Sequence, residues 1–152
     1  MDVAANQGDT GIPIPAQATD LALQFEFVPR SASDTLTVAV WFRIVGPGNM
    51  YGVFFYPATG YWRVDVLRQS SWTPFLGGTT AGLGQGVRSR VLIIGWNDRF
   101  AIFSNDQLLA CFQDPGPLTG NSHILGVLTD SGPVQVDFDN VELWDLEGVS
   151  DP

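Results

Sequence analysis

Between Tyr51 and Phe112 short apolar runs follow one another with little more than turns between them, and helical spacing never persists. Two runs, Arg99-Phe-Ala-Ile-Phe-Ser and Gln107-Leu-Leu-Ala-Cys-Phe112, are separated by Asn105-Asp106 alone. Asn and Asp tolerate the positive φ of a two-residue hairpin turn, so this unit is expected to fold back on itself. Upstream, Tyr51-Gly-Val-Phe-Phe-Tyr56 and Tyr61-Trp-Arg-Val-Asp-Val-Leu67 flank the turn Pro57-Ala-Thr-Gly60. A chain patterned this way is restricted to antiparallel sheets.

Alternation assigns the faces. From Asp34 to Val45, the residues Leu36, Val38, Val40, Phe42 and Ile44 share one phase, and Thr35, Thr37, Ala39, Trp41 and Arg43 the other. The first set is expected in the core, the second on the outer face. The next hairpin separates Tyr51, Val53 and Phe55 from Gly52, Phe54 and Tyr56, and Trp62, Val64 and Val66 from Tyr61, Arg63, Asp65 and Leu67. Leu21–Val28, ending at Pro29, reads as a first strand, and Trp72–Phe75 as a short one. The five glycines of Gly77–Gly86 predict a loop. Val87–Trp96 and the 99–112 hairpin are apolar in part on both faces. In the last strand Val134, Val136 and Phe138 share a phase that Val141 and Leu143 do not, so a β-bulge is expected near Asp139-Asn140. The result is an all-β chain: a two-sheet antiparallel β-sandwich of about ten strands, with no major helix.

Residues 1–19 are small and polar, with prolines at 13 and 15, and read as a linker or extended N-terminal arm. Such an arm can add as a strand to a sheet edge, in this chain or in a neighbour, the latter giving a homo-oligomer. The folded unit is placed at 20–147 and a tail at 148–152.

Sixteen acids face seven arginines and no lysine, a net charge of −9. Nucleic acid, which requires a basic stripe, is excluded as a partner. No run reaches the length of a membrane span. Thirteen of the acids are Asp, many beside turn residues, which suits a solvated surface. Cys111, the single cysteine, has no disulfide partner and is expected buried. His123, the single histidine, accompanies no nucleophile motif.

Several segments in order, Tyr51-Gly-Val-Phe-Phe, Tyr61-Trp-Arg-Val, Trp72-Thr-Pro, Arg99–Ala110, Gly126-Val-Leu and Val136-Asp-Phe-Asp-Asn-Val-Glu-Leu, carry a resemblance. Over Leu21 to Asp145 the chain resembles the concanavalin A-like lectin/glucanase superfamily, in particular its laminin-G-like and keto-disaccharide-hydrolase-like jelly rolls. The resemblance implies a convex and a concave sheet, with ligands on the concave face or its rim. It also implies bacterial surface, secreted or signalling proteins, hence an extracellular or cell-surface location, although no leader follows Met1. Calcium is admitted as a cofactor without a motif to support it, and no other cofactor is expected.

The glucanase branch carries a Glu-x-Asp-x-Glu strand, which this chain lacks: its glutamates are Glu26, Glu142 and Glu147. Asp137 and Asp139 share a face, a pattern that more often braces a turn than forms a catalytic pair. No catalytic residue is therefore assigned. The expected ligand platform is Trp41, Arg43, Tyr56, Tyr61, Arg63 and Asp65, with aromatic rings for the apolar side of a sugar and polar groups for its hydroxyls. The expectation is a non-catalytic accessory module that binds carbohydrate. The alternatives are a protein-interaction subunit of a surface assembly and, more weakly, a glycoside-processing enzyme.

Overall fold

The computed structural model describes residues 2–5 and 8–150 and assigns twelve strands and no helix among them. The arm and tail expected at 1–19 and 148–152 fall in part outside these residues. In chain order the strands are β1 (Asp2–Ala5), β2 (Gly8–Pro13), β3 (Leu21–Pro29), β4 (Thr37–Ile44), β5 (Met50–Tyr56) and β6 (Tyr61–Arg68), followed by β7 (Ser71–Thr79), β8 (Ser89–Trp96), β9 (Arg99–Ser104), β10 (Gln107–Gln113), β11 (Ser122–Thr129) and β12 (Val134–Asp145). They form two antiparallel six-stranded sheets. Sheet A has the order β1-β12-β3-β8-β9-β10, and sheet B the order β2-β11-β4-β5-β6-β7. The expected two-sheet β-sandwich is what forms. Its N-terminal residues pair within the chain, 2–5 with β12 and 8–13 with β11, one strand added to each sheet.

Period-2 alternation builds the core. Leu21, Leu23, Phe25 and Phe27 from sheet A face Val38, Val40, Val53 and Phe55 from sheet B, all buried. Phe27 meets Phe55 across the sandwich at 5.7 Å between ring centroids, and Phe25 meets Phe138 within sheet A at 6.2 Å. The 105–106 turn has φ of 49° and 66° at its two residues, the left-handed pair that a two-residue hairpin needs. The last strand slips between Asp139 and Glu142, with Asn140 at φ 49°, where the change of phase predicts it.

Three local expectations are corrected. β7 continues through Gly77 and Gly78 instead of giving way to a loop. A Cβ at 77 would lie 2.6 Å from the Tyr61 hydroxyl and 2.8 Å from the Trp62 carbonyl, so the strand needs glycine there. Cys111 is exposed, because β10 is an edge strand and its bulge between Leu108 and Ala110 sends Ala110 inward and Cys111 out.

The third correction is Arg43. Opposite β4, Ile124 pairs with Trp41 and Ser122 with Ile44, so Phe42 and Arg43 together face the single residue His123. Arg43 takes φ 49° at this bulge, and both residues turn inward. Arg43 is 0% exposed. Its Nε donates to Thr19 O (2.7 Å), Nη1 to Asn97 O (2.7 Å) and Leu118 O (3.3 Å), and Nη2 to Asp20 Oδ1 (2.9 Å). The guanidinium also stacks 4.8 Å from the centroid of Phe100. A buried charge is tolerated when it is paired and its polar atoms are hydrogen-bonded, and here each of the three nitrogens has a partner.

His123 completes the knot. Its Nε2 lies 2.9 Å from Ala18 O and must donate, which leaves Nδ1 to accept from Arg43 N–H at 3.3 Å. Burial pulls its pKa below the ordinary value, the hydrogen bond to Ala18 O opposes this, and the Arg43 charge lowers it further.

Two outcomes follow. Truncating Arg43→Ala leaves three carbonyls without this donor and Asp20 without its counter-charge, holding only the Asn97 N–H, and should cost about 3–5 kcal/mol in urea denaturation. Because the folded pKa of His123 is depressed, its contribution is complete above the unfolded pKa, about 6.5, and declines as pH falls below it. The denaturation midpoint should therefore drop on acidification from neutrality, and a His123→Gln variant should lose that part of the slope. The buried Asp114 titrates in a lower window, since hydrogen bonds from Tyr51, Gly116 N and Arg68 overcome its burial and hold its pKa down.

Candidate ligand groove on the outer face of sheet B

The outer face of sheet B carries a groove of about 760 Å³, within the range of small-molecule sites. Every strand of the sheet contributes to its lining. The ladder registers order that lining in rows across the sheet. One row runs Pro13, Ile124, Trp41, Gly52, Asp65, Pro74. The row beside it runs Gly11, Gly126, Ala39, Phe54, Arg63, Gly77. Beyond the first row lie Met50, Leu67 and Trp72.

Two glycines seat the aromatic rings. A Cβ on Gly126 would stand 2.2 Å from Cζ3 of Trp41. One on Gly52 would stand 2.6 Å from Cε2 of Phe54 and 3.3 Å from Cη2 of Trp72. The rings therefore settle onto backbone. Phe54 sits between the two indoles, edge-on to Trp41 at 6.4 Å and to Trp72 at 5.7 Å. Trp72, near the start of edge strand β7, is 42% exposed.

The polar groups sit beside this shelf. The Arg63 guanidinium lies 5.2 Å from the Phe54 centroid and 5.8 Å from that of Tyr56, a cation between two ring faces. Its Nε is 3.1 Å from Asp65 Oδ2, ion-pair distance without the alignment of a hydrogen bond. Asp65 is 3% exposed, and its Oδ1 has no hydrogen-bond partner. Burial pushes its pKa up, and Arg63 opposes that rise. A carboxylate oxygen buried without a donor leaves its desolvation cost uncompensated, a cost that a donor brought to this wall of the groove would offset.

Of the residues expected at a ligand platform, Trp41, Arg63 and Asp65 line the groove. Tyr56 and Tyr61 pair with each other at the β5–β6 turn, 5.6 Å between centroids, outside the groove lining, and Tyr56 meets the groove residue Arg63. Arg43 is absent from this face, turned inward by its bulge. Phe54 and Trp72 belong to the groove but not to the expected set, although Phe54 shares its strand phase with Gly52 and Tyr56. Asp137 and Asp139 lie on the other sheet, where Asp137 pairs with Arg30, and Asp139 stands 3.7 Å from Arg88, which also binds Glu26. Among the described residues no three His, Cys, Asp or Glu side chains converge as a metal site would require.

No protein-family model matches the sequence, and no curated protein does. Solved structures match it closely in fold. The carbohydrate-binding module CBM66 from Bacillus subtilis is similar over 91% of this chain and 83% of its own, with a TM-score of 0.75 and 16% identity. Sheep galectin-11, in complex with glycerol, is similar over 92% and 98%, with a TM-score of 0.66 and 14% identity. A Bacteroides ovatus GH16 protein in complex with a G4G4G3G product is similar over 94% and 80%, with a TM-score of 0.70 and 10% identity.

The glycine seat has a direct test. Gly126→Ala should displace the Trp41 ring while leaving the core intact, seen as a changed tryptophan emission spectrum. Any loss of stability should stay in the range of about 1–3 kcal/mol typical of overpacking.

Proposed function

Taking the concanavalin A-like jelly roll as the chain's fold, we propose that this is a non-catalytic carbohydrate-binding module acting through the groove on sheet B. The observation that carries the reading is the pairing of an aromatic shelf with one buried, unpartnered carboxylate oxygen. Sugar rings have an apolar face and a hydroxylated edge. Trp41, Phe54 and Trp72 suit the first, while Asp65 and Arg63 suit the second. The neighbours in fold include a carbohydrate-binding module and a galectin, which is consistent with this use of the scaffold.

A hydrolytic role is disfavoured by the composition of the groove. Glycosidases of the common kind place two carboxyl groups across the scissile bond, and Asp65 is the one carboxylate in this lining. Fold alone does not choose between lectin and hydrolase, so the argument rests on these side chains. We place the module outside the cytoplasm, where bacterial polysaccharides are met.

Affinity should be modest. Two rings each covering about 100 Å² of sugar contribute at most about 5 kcal/mol at about 25 cal/mol/Å². Association costs of several kcal/mol reduce this, leaving high-micromolar to millimolar binding.

Titrating neutral polysaccharides and oligosaccharides against tryptophan fluorescence, with affinity electrophoresis alongside, tests the proposal. Trp41→Ala and Trp72→Ala should each weaken binding about tenfold, the equivalent of about 1.4 kcal/mol. Asp65→Asn should weaken it while the fold is retained. Absence of binding across the panel at millimolar sugar would overturn the reading. So would release of reducing ends that Asp65→Asn abolishes, which would return the protein to the enzymes.

A further inference from the structure

The outer face of sheet A is built unlike a solvated sheet face. One row across it runs Trp144, Ala22, Ile94, Ala101 and Cys111. The next runs Glu142, Gln24, Leu92, Phe103 and Leu108. Eight of these ten positions are apolar, while the opposite face of the same strands already fills the core with Leu23, Val91, Ile93 and Ile102. Leu108 is 53% exposed and Trp144 44%. An antiparallel sheet with water on one side alternates apolar with polar, and strands apolar on both faces are normally covered on both.

Charge lies at the two ends of this patch. Beyond the first row stand Trp96, Arg99 and Gln113, and beyond the second Asp139, Glu26 and Arg90, with Arg90 paired to Asp106. Six of the seven arginines have a carboxylate within ion-pair distance. Among the described residues Arg99, exposed at the end of β9, is the one that has none.

We propose that the outer face of sheet A is the interface of a two-fold dimer of this chain. A two-fold axis lying in the interface, across the strands and between the two apolar rows, seats each row on the other row of the second copy. It also brings Arg99 of each copy to the acidic end, near Asp106, of the other. An isologous contact of this kind needs only one self-complementary patch. Five strands about 4.8 Å apart and four outward rows spanning about 20 Å cover about 500 Å² per copy, or about 1,000 Å² together. That reaches the lower bound for a specific interface and predicts a dimer that dissociates on dilution. The grooves of the two copies would then face away from each other.

The test is the molar mass of the full chain by sedimentation velocity from low micromolar to near-millimolar concentration, with Cys111 modification by a soluble thiol reagent as a second readout. The mass should rise toward double with concentration, and Cys111, exposed in a single copy, should react more slowly as it does. Phe103→Asp should hold the chain at the monomer mass. Leu108→Asp, at an exposed edge position where folding is not at risk, should do the same. Arg99→Glu should weaken the dimer most at low salt, where surface charges are least screened. A constant monomer mass over the whole range overturns the proposal. So does a dimer that survives Leu108→Asp with Cys111 fully reactive, because the contact must then lie elsewhere.

Discussion

The guanidinium of Arg43 holds one end of the sandwich together. Its donors are spread over the segment leading into β3, the β8–β9 turn and the segment before β11, so four pieces of chain meet at one side chain. It reaches them only because two residues of β4 share one partner on β11, which rotates Arg43 out of the strand's alternation. The histidine opposite is fixed in a single tautomer by the same arrangement. Replacing such a charge with a well-packed apolar group is often tolerated, whereas removing it alone strands its partners. The interaction therefore specifies geometry at least as much as it supplies stability.

The same rotation shapes the outer face of sheet B. Without the bulge a second cation would stand two residues from Trp41, on the face that holds the groove. With it, the charge in the groove is reduced to the Arg63–Asp65 pair, and the pair is unequal: Arg63 is braced by two rings while Asp65 keeps one oxygen unused. A site of this kind is apolar in area and directional in its one carboxylate. The positioning is rigid because both residues sit on β6, an inner strand of the sheet.

Much of this was legible in the sequence because the side-chain period of a strand is a local property. Alternation assigned Val38, Val53, Val64 and their neighbours to the core, and Trp41, Arg63 and Asp65 to one outer face. It could signal the bulge in β12 because apolar residues change phase there. In β4 no such signal exists, since a charged residue at position 43 fits an outward phase, and only the opposing strand reveals the inversion. Trp72 was hidden for another reason. Its place beside Leu67 depends on the β6–β7 register, which includes a slip between Val64 and Asp65. The role of Gly126 likewise depends on a ring from a strand distant in sequence.

The depth of the groove is set by Gly52 and Gly126, residues whose only side-chain atom is hydrogen and whose strand neighbours Tyr51, Val53, Leu125 and Val127 belong to the core. Shape and stability are thus written on alternate letters of the same strands. Selection, or an engineer, can resculpt the outward letters to accommodate a different ligand while the inward ones continue to specify the fold. A scaffold so divided is evolvable, since one backbone can be kept by sequences that no longer look alike.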